Sequence, residues 1–572
     1  MRFAVRFTRA IALLWVVASL SACGTGNQQP VATVSTNSLS FSALSPDEPT
    51  PPSQTISASV SPGTVSVAVL HGGNAIADVT YTLSGTAAQI VVDPAAPSAL
   101  GAGVFHGTIT VTGYSCGNPD CSQLVSGNSQ VIAVTYDIPP IVRYVAPYIG
   151  IASGTPATAS GAVIIRGQGF EQFPVQNVTF GGTPASTFSV VSDTEIQATY
   201  SLIPAGSTYP VSYPVQIVAP NSPGAIQSKA NLVVVPVPVY TATTLAYPPG
   251  VTVTGINQLL YDAQRQALLL AINTSSGTEL LRYAYSGGSW PSTPATVPIA
   301  NLSDIALSTE GSELLALSQQ QLTQLDPGLL TLSTRYTPGP TAAPALGTGV
   351  NFKNLAVAND GNAVITTGNG LSSSTGTPLY LYSVRSPAFT QPATTPSLDN
   401  ATPGASADGS LVALEQGDPS LASAPPVAYQ YTAATETFAS APGASVNAYN
   451  SAINSSIAPA LDRSATHIVL NGTNVYGNSF NFLGTLPSTT LAVVVSPDAS
   501  CAYTYDSSGQ IFAFNLNTSV SGGAFPQAGA TPVSSPGTGG AVKMAISPDG
   551  GTLFLAGSSQ IVVAPAPTSQ CQ

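Results

Sequence analysis

The C-terminal part of this chain repeats itself, and that repetition restricts the possible folds more than any other feature. Over residues 238–572 an apolar strand, a turn holding an acidic residue and a second apolar strand recur seven times, around Asp262, Glu310, Asp360, Asp408, Asp462, Asp498 and Asp549. Neighbouring copies lie 36 to 54 residues apart, room for a four-stranded sheet with its connections. A third strand follows most copies, as in LLRYAY (280–285), LYLYSV (379–384), VAYQYT (427–432) and QIFAFNL (510–516). The last copy ends after its third strand, Gln560 to Ala564, while VYTATTL (239–245) precedes the first copy. That early segment is placed to supply the missing fourth strand. A ring locked in this way leaves no free sheet edge.

Ser-Pro-Asp-Gly at 547–550 and Ser-Pro-Asp at 496–498 resemble the repeats of WD40-like and YVTN-like proteins. The resemblance implies a seven-bladed β-propeller over 238–572. The seven acids then fall in the turn between first and second strands. There a carboxylate accepts backbone N–H groups, so they are expected as turn caps and not as a ring of metal or catalytic ligands.

The preceding segment, 139–237, reads as a sandwich of short strands. It carries Val163-Ile164-Ile165-Arg166-Gly167-Gln168-Gly169-Phe170, then Val178-Thr179-Phe180-Gly181-Gly182-Thr183-Pro184, and ends in strands at 215–218 and 232–235. Gly167 and Gly169 suit a bulged turn after a buried strand, with Phe170 plugging the end of the sandwich. Gly181-Gly182 suits a tight hairpin, where positive φ is needed. The segment resembles the IPT/TIG family of immunoglobulin-like domains, which implies a spacer or binding module without catalysis. Residues 34–138 hold LSFSA, TISASV, VSVAVL, VTYTL, GTITVT and VIAVTY at regular intervals. Strands at this spacing predict another sandwich, and their order resembles bacterial immunoglobulin-like surface modules.

At the N-terminus, Arg2, Arg6 and Arg9 precede a ten-residue apolar run, IALLWVVASL. The run is about half of what a membrane-spanning helix needs, so residues 1–22 read as a secretory signal. Leu20-Ser21-Ala22-Cys23 resembles the bacterial lipobox. The resemblance implies cleavage before Cys23 and acylation of its thiol, which holds the chain on a membrane through residues 23–33 as a polar tether. Gly24, where an aspartate marks retention at the inner membrane, favours the outer membrane of the cell envelope.

Thirteen basic against 25 acidic residues, a net charge of −12, exclude the basic clusters that nucleic acid requires. Only 7% of residues are charged, yet 44% are hydrophobic and mean hydropathy is positive, which argues for packed cores and against disorder. Four cysteines follow Cys23. Cys116 and Cys121 flank the turn sequence Gly-Asn-Pro-Asp, so a local disulfide is expected. Cys501 and Cys571 are left open as a second pair.

Catalytic chemistry is hard to assemble from these residues. Gly-Tyr-Ser-Cys-Gly (113–117) matches a nucleophile pattern, but Pro119 and Cys121 follow where a helix would be required. The chain has three histidines, His71, His106 and His467, which exclude a His-rich metal site. No catalytic residue, metal ligand or cofactor is assigned. Trp290, in YSGGSWPSTP, is either a surface anchor for a sugar or partner or a filler between blades. The expectation is an all-β envelope lipoprotein, two immunoglobulin-like sandwiches followed by a seven-bladed propeller. It is held to the membrane through Cys23 and presents the propeller to a protein or polysaccharide. The alternatives are a hydrolase or lyase acting on a sugar or lactone, and a periplasmic assembly scaffold.

Overall fold

The computed structural model describes residues 31–118, 120–204, 209–336, 346, 350–368, 377–384, 387–391, 398, 401–415, 428–440, 457–487, 490–537, 541–567 and 571. Residues 1–22 and Cys23 lie outside this set. Among the described residues the fold is all-β, with a single short helix at Pro97–Leu100. The chain divides into two compact units, one built on the first sandwich and the other on the second sandwich and the repeats.

In the first unit, two four-stranded sheets face each other. One orders Ala32–Val34, Gln54–Val60, Ala87–Pro94 and Ile76–Ser84; the other orders Ser38–Ser42, Leu124–Ile138, Gly103–Cys116 and Thr64–Gly73. Strict alternation explains the arrangement. In Gln54–Val60 the residues Ile56, Ala58 and Val60 are buried while their neighbours are exposed or half-exposed, the period-two pattern of a half-buried strand. Ala87–Pro94 was not among the strands expected from sequence, although Ala88, Ile90 and Val92 form its buried side.

The second sandwich runs from edge to edge as Thr183–Pro184, Asn177–Phe180, Val211–Val218, Asn231–Pro236, Ile149–Ser153, Thr158–Gln168, Glu195–Leu202 and Thr187–Ser192. Gly181 and Gly182 both have positive φ, 57° and 86°, and join Phe180 to Thr183 as the two-residue hairpin predicted. Phe170 is 1% exposed and its N–H donates to the carbonyl of Asp193, which seats the plug.

The repeats form seven four-stranded sheets. Their first strands are Val253–Asp262, Leu302–Leu307, Asn351–Val357, Thr402–Ala405, Ala460–Leu461, Thr490–Val495 and Lys543–Ile546. Each of these touches the first strand of the next sheet, and the seventh touches the first, so the sheets are the blades of a closed ring. Thr243–Leu245 pairs antiparallel with Ile561–Pro565 and completes blade 7, as the sequence led one to expect. The Tyr247 hydroxyl reinforces this closure by donating to the carbonyl of Gly557 at 2.7 Å.

Second strands such as Leu314–Ser318 and Thr552–Ala556 are buried at every position. They lie between neighbouring blades and are covered on both faces, which is why they read as unbroken apolar runs. Each fully buried leucine there contributes about 1.5–3 kcal/mol relative to exposure.

Candidate functional site

The acidic turns between first and second strands crowd one face of the ring. Asp262, Asp360, Asp408, Asp462 and Asp498 accept backbone N–H groups two or three residues on, from Arg265, Asn362, Ser410, Ser464 and Ser500. These five are turn caps. The turns also bond to one another around the ring. Arg265 Nη1 donates to the carbonyl of Gly311, Thr309 Oγ1 to that of Ala358, Asn359 Nδ2 to that of Asp408, and the Asp408 N–H to that of Arg463.

The second sandwich seats on this face. Arg166 is 5% exposed, and its Nη1 lies 2.8 Å from Glu195 Oε2 within the sandwich. Its Nε donates to Asn359 Oδ1 of blade 3 at 2.8 Å. Two tyrosines of the sandwich press on turn glycines. A β-carbon at Gly311 would lie 2.1 Å from the Tyr148 hydroxyl, and one at Gly361 would lie 1.9 Å from that of Tyr144. Both glycines have positive φ, so the turn and the close approach each require the absence of a side chain.

Beside this seat a groove of about 740 Å³ opens between the sandwich and blades 4 and 5. Strands Thr158–Gln168, Thr187–Ser192 and Glu195–Leu202 wall one side; Asp408, Thr432, Arg463 and Asn478 stand on the other. The groove brings together charged groups, Arg166, Glu195, Asp408 and Arg463, in a chain with few of them.

The first strands also enclose a central cavity of about 390 Å³. Its wall is mainly aliphatic, including Leu260, Ile305, Leu355, Val493, Val495 and Ile546, with Gln258 and Lys543 as polar members. Asp304 is buried next to it, where burial pushes its carboxyl up to about 7 against the pull of two backbone N–H donors and Lys543. The donors are Ile305 at 2.8 Å and Leu355, on the next blade, at 2.9 Å. Both carboxylate oxygens are thus held by backbone, and the group works as a tie between blades 2 and 3.

Glu415 plays a similar part between blades 4 and 5. It is 3% exposed and accepts the N–H of Asn471 at 2.9 Å on Oε2, while Oε1 has no hydrogen-bond partner among the described residues. Burial raises its carboxyl to about 7 from an ordinary 4.5, opposed by that N–H. Because the folded value lies above the unfolded one, this group stabilises the fold fully below the unfolded value, and that contribution is lost as pH rises through about 7. Glu415→Gln removes the titration. From about pH 4 to about pH 8 the stability of the variant relative to the native chain should therefore improve by about 3 kcal/mol, read from urea unfolding at each pH. A gap that stays constant with pH would show that Glu415 does not titrate as its burial implies.

Residues 141–232 match the IPT/TIG domain family model. The second sandwich is called the IPT/TIG domain from here on. Among solved structures, a chain of the mitotic checkpoint complex is 14% identical, with 58% of this chain and 94% of that one covered at a TM-score of 0.39. The WD40 repeats of RRP9 are 10% identical, with 57% and 97% covered at a TM-score of 0.39. No curated protein matches the sequence.

The residues singled out from sequence fall into separate places. Cys116–Cys121 and Cys501–Cys571 are both disulfides. Gly113 to Cys116 end strand Gly103–Cys116, and the next element among the described residues is the strand Leu124–Ile138, so the nucleophile pattern lacks the helix an elbow needs. His71 and His106 lie on strands of the first sandwich. His467 opens a blade 5 strand, where burial lowers its pKa and its Nδ1 has no hydrogen-bond partner among the described residues.

Trp290 packs between blades 1 and 7, with ring centroids 5.1 Å from Tyr240 and 5.2 Å from Tyr285 and Phe554 close by. Of the two roles the sequence left open, this is the filling position. No group of three or more His, Cys, Asp or Glu side chains among the described residues is disposed to hold a metal. The charged groove was not anticipated. Its only sequence signal is that Arg166 and Arg463 are two of 13 basic residues.

Proposed function

We propose that this chain is a lipid-anchored envelope protein that works as a binding scaffold and not as an enzyme. The observation that carries the reading is the division of labour inside the ring. The central cavity is walled mainly by aliphatic side chains, and its buried acid is occupied with backbone N–H groups of two blades. Charged groups converge instead on the groove beside the IPT/TIG domain, where they are arranged for contact and not as a nucleophile with its base. The lipobox at Cys23 supports attachment to the outer membrane, and two disulfides suit an oxidising, exported setting. A protein or polysaccharide partner is expected, with no cofactor.

The test has two arms. Cells fed a clickable fatty acid should label the native chain and not Cys23→Ser, and the variant should leave the membrane fraction. Crosslinking in intact cells should trap a partner with the native chain. Label on Cys23→Ser, or turnover of ester, lactone or glycoside probes by the purified protein, would overturn the reading. The second reading, a hydrolase or lyase acting on a sugar or lactone, draws on Asp304 beside Lys543, and would require Asp304→Asn to abolish such turnover.

A further inference from the structure

We propose that the groove between the IPT/TIG domain and blades 4 and 5 takes an extended peptide segment with an acidic side chain, added as a strand to Thr187–Ser192. The inference rests on the scaffold reading and names the partner's chemistry.

Among the described residues Thr187–Ser192 is the last strand of its sheet and pairs only with Glu195–Leu202. Every second residue of such an edge turns its N–H and C=O outward, a template for another strand. Natural sheets guard their edges with lysine, proline or inward charges. This one reads Thr-Phe-Ser-Val-Val-Ser, with none of these, and Val191 is 51% exposed. Thr187 to Val190 keep regular register with their neighbour, and the bulge falls only at Val191.

The edge does not face open solvent. Thr187, Phe188 and Ser189 line the groove opposite Arg463, and its volume of about 740 Å³ lies in the range of specific ligand sites. The two arginines there differ. Arg166 is held by Glu195 and Asn359. The half-buried guanidinium of Arg463 makes no hydrogen bond or ion pair among the described residues. Asp408, the nearby acid, is already engaged: its Oδ1 accepts Ser406 Oγ at 2.7 Å, Ser410 Oγ at 2.7 Å and the Ser410 N–H at 2.9 Å. A guanidinium without a partner among the described residues, in a chain of net charge −12, suits a carboxylate from outside.

A peptide fits better than a glycan, because donors and acceptors spaced along a strand edge match another backbone and not a ring of hydroxyls. Full-length protein in detergent, panned against a phage-displayed library of short random peptides, tests this. Enriched peptides should alternate β-branched residues and carry an aspartate or glutamate. Val191→Pro places a ring on the edge at the bulge, outside the regular pairing of Thr187 to Val190, and should weaken these peptides by about ten-fold or more. Arg463→Gln leaves the strand intact. It should weaken them by about ten-fold, and should leave unchanged the affinity of peptides whose acid is replaced by its amide.

Enriched peptides that bind both variants as tightly as the native chain would overturn the site while leaving the scaffold reading standing. Failure to enrich any peptide, or loss of polysaccharide retention in both variants, would also overturn it. Turnover of the ester, lactone or glycoside probes would remove the scaffold reading itself.

Discussion

Replacing Arg166 with leucine should cost the fold about 3–5 kcal/mol, the usual penalty for breaking a buried ion pair from one side. Glu195 is 6% exposed and would be left, among the described residues, with Gln197 Nε2, 3.0 Å away, as its side-chain donor. Asn359, 0% exposed, would lose the donor to its Oδ1 while its Nδ2 stays on the carbonyl of Asp408. The damage therefore reaches the bond that ties blade 3 to blade 4. Arg166→Lys should recover little, because one ammonium cannot serve both Glu195 and Asn359 with the geometry of a guanidinium. Arg166→Leu with Glu195→Leu should restore most of the loss, since no unpaired charge is then left buried. Urea unfolding measures all three. A single variant within about 1 kcal/mol of native would mean that the pair is not as dry as its burial implies.

That pair also marks the limit of what could be read from sequence. Patterns with a local period were legible. The seven acid-bearing turns gave seven sheets, the early VYTATTL closed the last of them, and Gly181-Gly182 made its hairpin. Each of these is decided by neighbours in the chain or by repetition at a fixed interval. The seating of the IPT/TIG domain on the turn face is not of this kind. Arg166 and Asn359 are 193 residues apart, one inside a strand motif and the other inside a turn, and neither position departs from its local pattern.

Gly311 and Gly361 were legible as turn residues because positive φ favours glycine. That Tyr148 and Tyr144 also press on them was not. Asp304 was hidden for another reason. It sits at a register shift in Leu302–Leu307, and such a bulge turns a residue expected at the surface toward the interior. Ala87–Pro94 was missed because its apolar core, Ile-Val-Val, is short and its other buried positions are alanine and proline.

The second large effect is expected at the other end of the chain. Cys571 is 0% exposed and bonded to Cys501 on the second strand of blade 6, across a separation of 70 residues. Its backbone carbonyl accepts Asn517 Nδ2 at 2.9 Å, so bond and bridge together fasten residue 571 to a blade that precedes its own. Chain-entropy arguments give about 4 kcal/mol for a crosslink over this length, because it removes much of the freedom of the unfolded ring. Cys116–Cys121, separated by five residues, closes a loop whose ends the pairing of Cys116 with Leu124 already brings near. The same relation gives about 2 kcal/mol there as an upper figure.

Cys571→Ser should therefore lower the free energy of unfolding by about 4 kcal/mol, and Cys116→Ser by about half as much or less. The first loss should appear as faster protease cleavage near blades 6 and 7, since the bridge ties blade 6 to the segment that follows blade 7. Thermal unfolding with and without reductant gives the comparison in one protein. If reduction shifts the native chain no more than it shifts Cys571→Ser, the bridge is not what holds the ring shut, and the strand Thr243–Leu245 carries the closure alone.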